Sequence, residues 1–394
     1  MRIGIDARSL EPPRAGIGRY LEQLLGALCR IGHGSEFVLW TTAWRSCASE
    51  RLHGDASQHL RWVQSPFPDR ALDWMVRKGT GMGFGAEHLL GPLDCFHHPS
   101  PLLVPLRATP RVITIHDLWF MRHPDSVPRQ TFATLVNGLR NGVRRGAAII
   151  TDSEWVGSEV TELLGVARDR IRVIPLAPDR AFVHVPAQSV DAVVSQYGLR
   201  RGEYIIFVGT IEPRKNIQRL LCAFTAWSER RGRRVPRLVL AGRFGWMCQD
   251  VVETLKDPRL RDLVIPLGYV PQTDLPGLVR GALFCCFVSL HEGFGLPAVD
   301  AMACGTPVIA STAAALPEVL GDGALLVDPE DLTALTDALE QLTDDSALRD
   351  GLKRRGFLRV AQLSWERTAR ETYGFYQEVA GKRGIGSASS LPAF

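Results

Sequence analysis

Residues 288–309 read Val-Ser-Leu-His-Glu-Gly-Phe-Gly-Leu-Pro-Ala-Val-Asp-Ala-Met-Ala-Cys-Gly-Thr-Pro-Val-Ile, and this stretch is the most informative part of the chain. The apolar run at residues 283–288 predicts a strand, and the glycines within residues 292–295 predict a turn. A short apolar helix follows and ends at Gly305-Thr306-Pro307. A strand, a glycine turn and a helix N-terminus form a cradle for phosphate, because free backbone N–H groups and the helix dipole point at the anion.

Two acidic residues belong to this stretch, Glu292 in the turn and Asp300 about two helical turns later. A carboxylate inside a phosphate cradle would repel the phosphate. The two acids are therefore expected to bind something else, and the hydroxyls of a sugar or a ribose are the obvious candidates.

Length and composition describe an ordinary globular protein. The chain has 394 residues, which suggests two or three domains at roughly 150 residues each. Its hydrophobic content is 45% and its charged content is 22%, values typical of a globular protein. A net charge of +4 is compatible with anionic nucleotides or an anionic membrane surface. The sequence lacks the concentrated patch of basic residues that is typical of a nucleic-acid binder, so no nucleic-acid partner is expected.

The cysteines and the N-terminus indicate a cytoplasmic protein. There are eight cysteines, with no C-x-x-C pair and several in apolar runs, a pattern typical of buried reduced thiols. The start, Met-Arg-Ile-Gly-Ile-Asp, predicts a strand and not a signal peptide. No run approaches the roughly 18 apolar residues that a membrane span needs. If membranes matter for this protein, we expect it to lie on them.

Short apolar runs alternate with helical patterns through most of the chain. Strands are predicted at residues 2–6, 37–40, 111–116, 148–152, 171–174, 204–208, 237–241, 264–267, 283–288, 307–310 and 324–327. Helices are predicted at residues 18–30, 129–145, 154–164, 216–231, 329–342, 346–357 and 365–379. Residues 175–190 lose this periodicity and are interpreted as a linker. The pattern predicts an α/β fold of two tandem Rossmann-like domains with parallel sheets. Ligands bind at the carboxyl ends of such strands, so the site is expected in the interdomain cleft.

Polar and glycine residues follow several predicted strands of the first half. Gly16 and Gly18 open a helix and predict a turn that approaches a phosphate or a sugar, although a plain loop is equally compatible. His116 ends a strand and could donate to a phosphate or a sugar hydroxyl, or act as an acid or base. The alternative for His116 is a buried histidine bonded to the backbone.

In the second half, residues 209–216 read Gly-Thr-Ile-Glu-Pro-Arg-Lys-Asn. Arg214 and Lys215, next to a helix N-terminus, suit a diphosphate, and the alternative is a solvated charge cluster. Because the two are sequence neighbours, Lys215 is favoured as the phosphate ligand and Arg214 is expected to pair with a carboxylate such as Glu212.

Two later loops are weaker candidates. Arg243 follows a strand and is a second possible phosphate ligand, and the backbone near Tyr269 and Val270 could accept the edge of a base. The sequence has no D-x-D pair and no cluster with metal-ligand spacing. No metal and no other cofactor is expected.

Together, the acid pair, the Glu-Pro-Arg-Lys-Asn turn and His116 resemble the large family of retaining glycosyltransferases that includes bacterial mannosyltransferases and sucrose synthase. These enzymes have the two-Rossmann-domain GT-B fold. The resemblance extends to about residue 380, and its most specific motif is E-x7-E, with Asp300 in place of the second Glu. The resemblance implies an acceptor-binding domain at 1–178 and a nucleotide-sugar-binding domain at 179–362. It also implies a helix at 363–380 that crosses back to the N-terminal domain, and a disordered tail at 381–394.

The resemblance also implies roles for individual residues. Glu292 would contact the donor sugar, and Asp300, one methylene shorter than the usual Glu, would bind the ribose. His116 and Lys215 complete the implied catalytic set, near the sugar and the phosphates. Thr210 stands where some members carry an arginine, which Arg243 would replace. The remaining implied donor-binding residues are Gly16, Gly18, Arg214, Tyr269, Val270, Phe294, Gly295 and Leu296.

The implied reaction is transfer of a hexose with retention of anomeric configuration, with cations stabilising the leaving diphosphate. The sequence variants in the turns resemble mannosyltransferases of O-antigen and exopolysaccharide assembly. They favour GDP-mannose or a related GDP-deoxyhexose as donor and a lipid-linked oligosaccharide as acceptor. The sequence leaves open a UDP- or dTDP-sugar-dependent transferase, a sugar-nucleotide epimerase or another enzyme of this fold, and a non-catalytic nucleotide-sugar-binding protein.

One segment, residues 70–84, combines aromatic and basic residues, among them Trp74, Arg77 and Lys78. Such a surface suits an anionic membrane interface, whereas the alternative is a core helix with a solvated edge. The sequence therefore predicts peripheral contact with the inner face of the cytoplasmic membrane.

Overall fold

The computed structural model describes residues 1–11, 16–31, 34–42, 59–78 and 85–381. It contains two α/β domains, each built on a fully parallel sheet, which confirms the predicted fold class. The predicted tail lies outside the described residues from position 382 onward.

The first domain holds a seven-stranded sheet in the order β3-β2-β1-β4-β5-β6-β7. Its strands are β1 Arg2–Asp6, β2 Glu36–Thr41, β3 Leu60–Gln64, β4 Cys95–His98, β5 Arg111–Ile115, β6 Ala148–Thr151 and β7 Ile171–Val173. The sequence did not predict β3 and β4. The strand β3 lies at the edge of the sheet and is largely accessible, whereas β4 is short and places two histidines in a fully buried position.

The second domain holds a six-stranded sheet in the order β10-β9-β8-β11-β12-β13. Its strands are β8 Tyr204–Val208, β9 Arg237–Ala241, β10 Val264–Gly268, β11 Cys285–Phe287, β12 Val308–Ser311 and β13 Leu325–Val327. All of them except β10 and β13 are mostly buried runs, as expected for strands covered on both faces.

Helices cover both sheets and join the domains. Those of the first domain are α1 Gly16–Ile31, α2 Asp69–Lys78, α3 Glu87–Leu90, α4 Trp119–Arg122, α5 Arg129–Arg144 and α6 Glu154–Leu164. The others are α7 Arg180–Val183, α8 Ala187–Gln196, α9 Ile217–Arg230, α10 Gln249–Thr254, α11 Leu275–Gly281, α12 Leu296–Ala303, α13 Leu316–Leu320, α14 Leu332–Asp344, α15 Ser346–Val360 and α16 Trp365–Gly381.

Residues 175–190, interpreted above as a linker that loses helical periodicity, contain α7 and the start of α8, so the segment is partly helical. The prolines of this segment mark helix starts and not the absence of helices. Pro186 is the N-cap of α8, and Asp179 directly follows Pro178 and caps α7 by accepting a hydrogen bond from the Ala181 amide.

The last helix, α16, returns from the second domain and packs against α1 of the first. The indole of Trp365 donates to the carbonyl of Pro178 over 3.0 Å. Further along, the hydroxyl of Tyr376 lies 2.6 Å from Nδ1 of the buried His97. These contacts tie the end of the described chain to the sheet of the first domain.

Candidate active site

The strand order reverses once in each sheet, between β1 and β4 and between β8 and β11. At such a point the loops on either side run in opposite directions and leave a crevice at the carboxyl edge, where ligands bind in open parallel sheets. The loop after β8 carries Arg214 and Lys215, and the loop after β11 carries Glu292. The motif residues therefore border the crevice of the second domain.

These two loops meet at Glu292, which is 6% exposed. Lys215 Nζ lies 2.5 Å from Glu292 Oε1, and Arg214 Nη1 lies 2.8 Å from Oε2. Arg214 also pairs with Glu212 at 3.0 Å, as the sequence suggested. Arg214 and Lys215 both contact the Glu292 carboxylate, and the preference for Lys215 as the phosphate ligand stays a prediction.

Arg214 and Lys215 converge on Glu292 because the loop after β8 is anchored to neighbouring segments. Pro213–Lys215 form a short 3-10 turn that ends at Asn216 in the left-handed conformation, with φ of 58°. The side-chain amide of Asn216 donates through Nδ2 to the carbonyls of Val288 and Pro329. This residue therefore fixes the cationic turn against the loop that carries Glu292.

The charges in this cluster shift the pKa values of their neighbours. Burial alone would raise the pKa of Glu292, but the charges of Arg214 and Lys215 outweigh it and lower that pKa to about 2. Burial and the neighbouring Arg214 lower the pKa of Lys215, against the pull of Glu292. Glu292 is thus an ionised acceptor with two donors, and a bound anion could compete for both cations.

A helix N-terminus adjoins this cluster. Gly295 is the N-cap of α12 with φ of 90°, a backbone conformation that favours glycine, and a Cβ there would lie 2.5 Å from the Leu316 side chain. Phe294 is buried and Leu296 is the first residue of the helix. These three residues follow Glu292 at the start of α12, and free backbone N–H groups at a helix start can face an anion.

His116 is the first residue after β5 and approaches the cluster from the other domain. Its Nδ1 lies 2.6 Å from Oδ2 of the buried Asp152, and the ring of Tyr20 packs edge-on at 4.8 Å. Among the described residues, Nε2 of His116 has no hydrogen-bond partner. His116 is therefore part of a carboxylate–histidine pair, and the backbone of Pro99 also favours its protonated form and raises its pKa.

Asp152 raises the affinity of His116 for its proton. Burial alone would lower the pKa of His116, but the charge and the hydrogen bond of Asp152 outweigh it, with help from Asp117, and the pKa is raised. Sequence reasoning missed Asp152, although a signal existed. Asp152 follows β6 directly, as His116 follows β5, and Ile115 pairs with Thr151 in neighbouring parallel strands.

The loop after β11 touches the first domain beside His116. Ser153 donates its hydroxyl to the carbonyl of Gly293 over 2.8 Å, and a Cβ on Gly293 would lie 1.6 Å from the His116 carbonyl oxygen. Next to it, His291 Nε2 lies 3.1 Å from the Glu159 carboxylate of α6. The two halves of the site are therefore in direct contact.

Asp300 has a different environment from Glu292. It is 1% exposed, its Oδ2 lies 2.6 Å from Arg19 Nη2, and its Oδ1 accepts from the Asp179 amide over 2.9 Å. Both oxygens of the proposed ribose ligand are thus bonded to protein donors, a contact that the sequence did not indicate.

The remaining predicted residues lie around the cluster. Arg243 is exposed, and its guanidinium lies 4.6 Å from the ring centre of Tyr269. Thr210 is exposed and Val270 is buried. In the first domain, Gly16 begins α1 and is exposed, whereas Gly18 is buried two residues later.

The described residues contain neither a metal-ligand cluster nor a helix suited to crossing a membrane. No three His, Cys, Asp or Glu side chains within the described ranges are grouped so that they could hold a metal ion. Among the helices the structure describes, none combines the length and the apolar character needed to cross a membrane.

Two glycosyltransferase family models match this chain, one in each half. The model described as Glycosyltransferase Family 4 matches residues 14–181, and the model described as Glycosyl transferases group 1 matches residues 195–359. The O-antigen chain mannosyltransferase B of Escherichia coli is 31% identical over 389 residues, which covers 96% of this chain and all of that protein.

Solved structures share the fold at low sequence identity. Anabaena HepE, solved in complex with UDP and glucose, aligns with a TM-score of 0.72 at 17% identity, covering 96% of this chain and 100% of that chain. Sucrose-phosphate synthase from Thermosynechococcus elongatus aligns with a TM-score of 0.75 at 21% identity, covering 97% of this chain and 99% of that chain.

Proposed function

We propose, since this chain belongs to the bacterial mannosyltransferase-like glycosyltransferases of the GT-B fold, that it transfers mannose from GDP-mannose to a lipid-linked oligosaccharide acceptor. The observation that carries the proposal is the convergence of Lys215 and Arg214 on Glu292, beside His116 of the other domain. Such an arrangement suits a sugar diphosphate, with cations for the phosphates and a carboxylate for the hydroxyls.

In this proposal the second domain holds most of the donor. The diphosphate exchanges for Glu292 at Lys215 and Arg214 and faces the N-terminus of α12. The freed carboxylate of Glu292 then accepts hydrogen bonds from the sugar hydroxyls. The base lies along the backbone near Tyr269 and Val270, and Arg243 beside Tyr269 is within the same loop cluster.

The chemistry proceeds on the face shared with His116. The bond between the anomeric carbon and the β-phosphate oxygen breaks as the acceptor hydroxyl oxygen attacks the same face. The acceptor proton passes to the departing phosphate, so GDP is released and the configuration is retained. In the donor complex the Glu292 carboxylate is occupied by the hydrogen bonds of the sugar hydroxyls, which favours this route over attack by that carboxylate. Lys215, Arg214 and protonated His116 stabilise the leaving diphosphate, and no metal ion is required for that role.

A transfer assay tests this function. The purified protein is incubated with GDP-mannose and a polyprenyl-diphosphate-linked oligosaccharide, and the products are followed by mass spectrometry and NMR. We expect GDP release equal to mannosyl product, with the donor's α configuration kept. Preference for a UDP- or dTDP-sugar would overturn the donor assignment, and conversion of the donor to an epimer without acceptor would overturn transfer.

Because the proposed acceptor is lipid-linked, we expect the protein to bind to membranes through α2. Trp74 on α2 is 44% exposed, while the carbonyl of the neighbouring Val76 accepts from Asn141 of α5. The side chains of Arg77 and Lys78 lie outside the described part of the structure. Replacing all three residues, Trp74, Arg77 and Lys78, by alanine is expected to weaken binding to anionic vesicles about 30-fold or more, since each basic residue contributes about 1 kcal/mol.

Cosedimentation with vesicles of phosphatidylglycerol and phosphatidylcholine measures this effect. A matched control replaces Trp155, which is also 44% exposed, together with the exposed Arg144 and Arg145. Equal binding of the wild-type protein and the α2 variant, or equal losses in the two variants, would contradict a membrane surface at α2.

A further inference from the structure

A chain of buried hydrogen bonds connects the last helix to the centre of the first sheet. The hydroxyl of Tyr376 on α16 lies 2.6 Å from Nδ1 of His97 on β4, and Nε2 of His97 lies 2.7 Å from the hydroxyl of Thr114 on β5. The Thr114 hydroxyl is 3.2 Å from that of Tyr20 on α1. All four residues are at most 2% exposed, so the loss of one partner would leave a polar group buried without its hydrogen bond.

The tautomer of His97 follows from its two partners. Burial lowers the pKa of His97 to about 3, so its ring is neutral and carries a single N–H. Among the described residues, Nδ1 of His97 is the acceptor available to the Tyr376 hydroxyl. Tyr376 therefore donates to Nδ1, and Nε2 carries the ring proton and donates it to Thr114. His97 thus connects α16 to β5 in one defined tautomer.

Tyr20 connects this chain of hydrogen bonds to His116. Thr114 lies on β5 and His116 follows two residues later, which places their side chains on the same side of the sheet. Tyr20 contacts both of them, because its hydroxyl meets Thr114 and its ring packs edge-on against His116 with the ring centres 4.8 Å apart. The orientation of the Tyr20 ring beside the imidazole therefore depends on the contact with Thr114.

The end of β4 is a second contact between His97 and His116. The backbone of Pro99, two residues after His97, favours the protonated ring of His116. Asp152 holds only Nδ1 of that ring, so the tilt of the ring depends on what packs around it. Because His97 is bonded on both sides, it fixes the end of β4 as well as the Thr114 contact of Tyr20.

We propose that Tyr376 and His97 are positioning residues for His116, and that the hydrogen bonds from Tyr376 through His97 and Thr114 to Tyr20 hold its imidazole in the orientation used for transfer. The last helix, which follows the donor-binding domain in the chain, thereby takes part in the geometry of the transfer site on the first domain. The proposal rests on the proposed function, because its kinetic consequences are measured as sugar transfer.

Removal of single hydroxyls tests the proposal with little change of shape. Tyr376→Phe and Tyr20→Phe keep their rings, and each is expected to lower kcat about 5- to 50-fold, since a misplacement of about 1 Å costs up to about 100-fold. The Kd for GDP should change little, because the donor is proposed to bind mainly on the other domain. Both changes interrupt the same chain of bonds, so the double variant should lose less than the product of the two single losses.

The His116→Ala background separates positioning from a general loss of stability. If Tyr376 acts through His116, Tyr376→Phe has no further effect on kcat once the imidazole is absent. A variant that only loosened the fold would lower kcat by the same factor in both backgrounds. Tyr373→Phe is the matched control, because its hydroxyl lies on the same helix and bonds to Ser35 over 2.7 Å, outside the chain of bonds. Its kcat should equal that of the wild-type protein.

Histidine NMR gives a readout that does not depend on transfer. Protein labelled with isotope-enriched histidine shows the Cε1–H signal of each ring, and His116→Ala identifies the signal of His116. Tyr376→Phe should shift that signal, because the Tyr20 ring packs against His116 and its ring current changes when it moves. Tyr373→Phe should leave the signal in place. Thermal melting shows which variants are folded, and Tyr20→Phe replaces Tyr376→Phe if that variant does not fold.

Three results would overturn the proposal. They are a wild-type kcat in Tyr376→Phe, an equal loss of kcat from this change in the His116→Ala background, and an unshifted His116 signal. If the wild-type protein transfers no sugar from GDP-mannose, the proposed function fails, while the NMR comparison of Tyr376→Phe with Tyr373→Phe still decides whether the chain of bonds positions His116.

Discussion

Lys215→Ala is expected to cause the largest loss of activity of any single substitution. The side chain lies 2.5 Å from Glu292 and is proposed to contact the diphosphate of the donor. Loss of one charge-assisted hydrogen bond of about 1.5–3 kcal/mol should weaken GDP binding about 10- to 150-fold. Loss of stabilisation of the leaving phosphate should lower kcat by a further factor of about 10²–10³.

Calorimetric titration with GDP and steady-state kinetics measure the two parts of this effect. Arg214 remains 2.8 Å from Glu292, so that carboxylate keeps a counter-charge and the variant should fold. Lys256→Ala is the matched control, because it removes an exposed lysine paired with Glu253 on the surface. Wild-type affinity for GDP in Lys215→Ala would show that this lysine is not a phosphate ligand.

His116→Ala is expected to reduce sugar transfer strongly while GDP binding changes little. His116 lies on the first domain and the donor is proposed to bind mainly on the second, so GDP affinity should change little. Transfer should fall about 10²- to 10⁴-fold, the usual contribution of a positioned proton donor or acceptor. His88→Ala, a change at an exposed histidine, should leave both quantities unchanged.

The pH dependence of kcat/KM tests the partnership with Asp152. Because the pKa of His116 is raised by Asp152 against the effect of burial, the imidazolium persists to higher pH than in an ordinary histidine. If the protonated ring stabilises the leaving phosphate, activity is full at low pH and falls as pH rises through that pKa. In Asp152→Asn the opposing charge is lost, so the falling limb should move to lower pH by about one to two units.

Two results would contradict this role of the pair. The first is a profile for Asp152→Asn with the same falling limb as the wild-type protein. The second is activity that increases with pH across the range in which His116 loses its proton, because neutral imidazole would then be the active form.

Most of the fold was predictable because short local sequence patterns mark its strands and helices. Apolar runs such as Tyr204–Val208 are flanked by glycine and followed by helical periodicity, and strands of this kind were predicted correctly. The strand Cys95–His98 was missed because its two histidines are polar in sequence but buried in the sheet. The helices of residues 180–196 were missed because their prolines were interpreted as breaks, although Pro186 lies at a helix start.

Some residues of the candidate site could be predicted from the local sequence, and others could not. Lys215, Glu292 and His116 could be identified because each lies in a short motif next to a predicted strand. Asp152 could have been identified only by aligning the ends of β5 and β6 across the sheet. The contact of Arg19 with Asp300 joins positions 281 residues apart. No local pattern encodes such a pairing, and it depends on how the two domains dock.

Thermal melting with a panel of GDP, UDP, dTDP and ADP tests the central claim most directly, since that claim is a nucleotide-diphosphate site at Lys215 and Glu292 specific for GDP. A ligand at 100 times its Kd stabilises the protein by about 2.7 kcal/mol, which is an increase of several degrees in Tm. The account predicts that GDP raises the Tm of the wild-type protein and of His116→Ala, and that Lys215→Ala shows little or no increase at the same concentration. An equal increase with GDP in Lys215→Ala, or no increase with any of the four nucleotides in the wild-type protein, would contradict it.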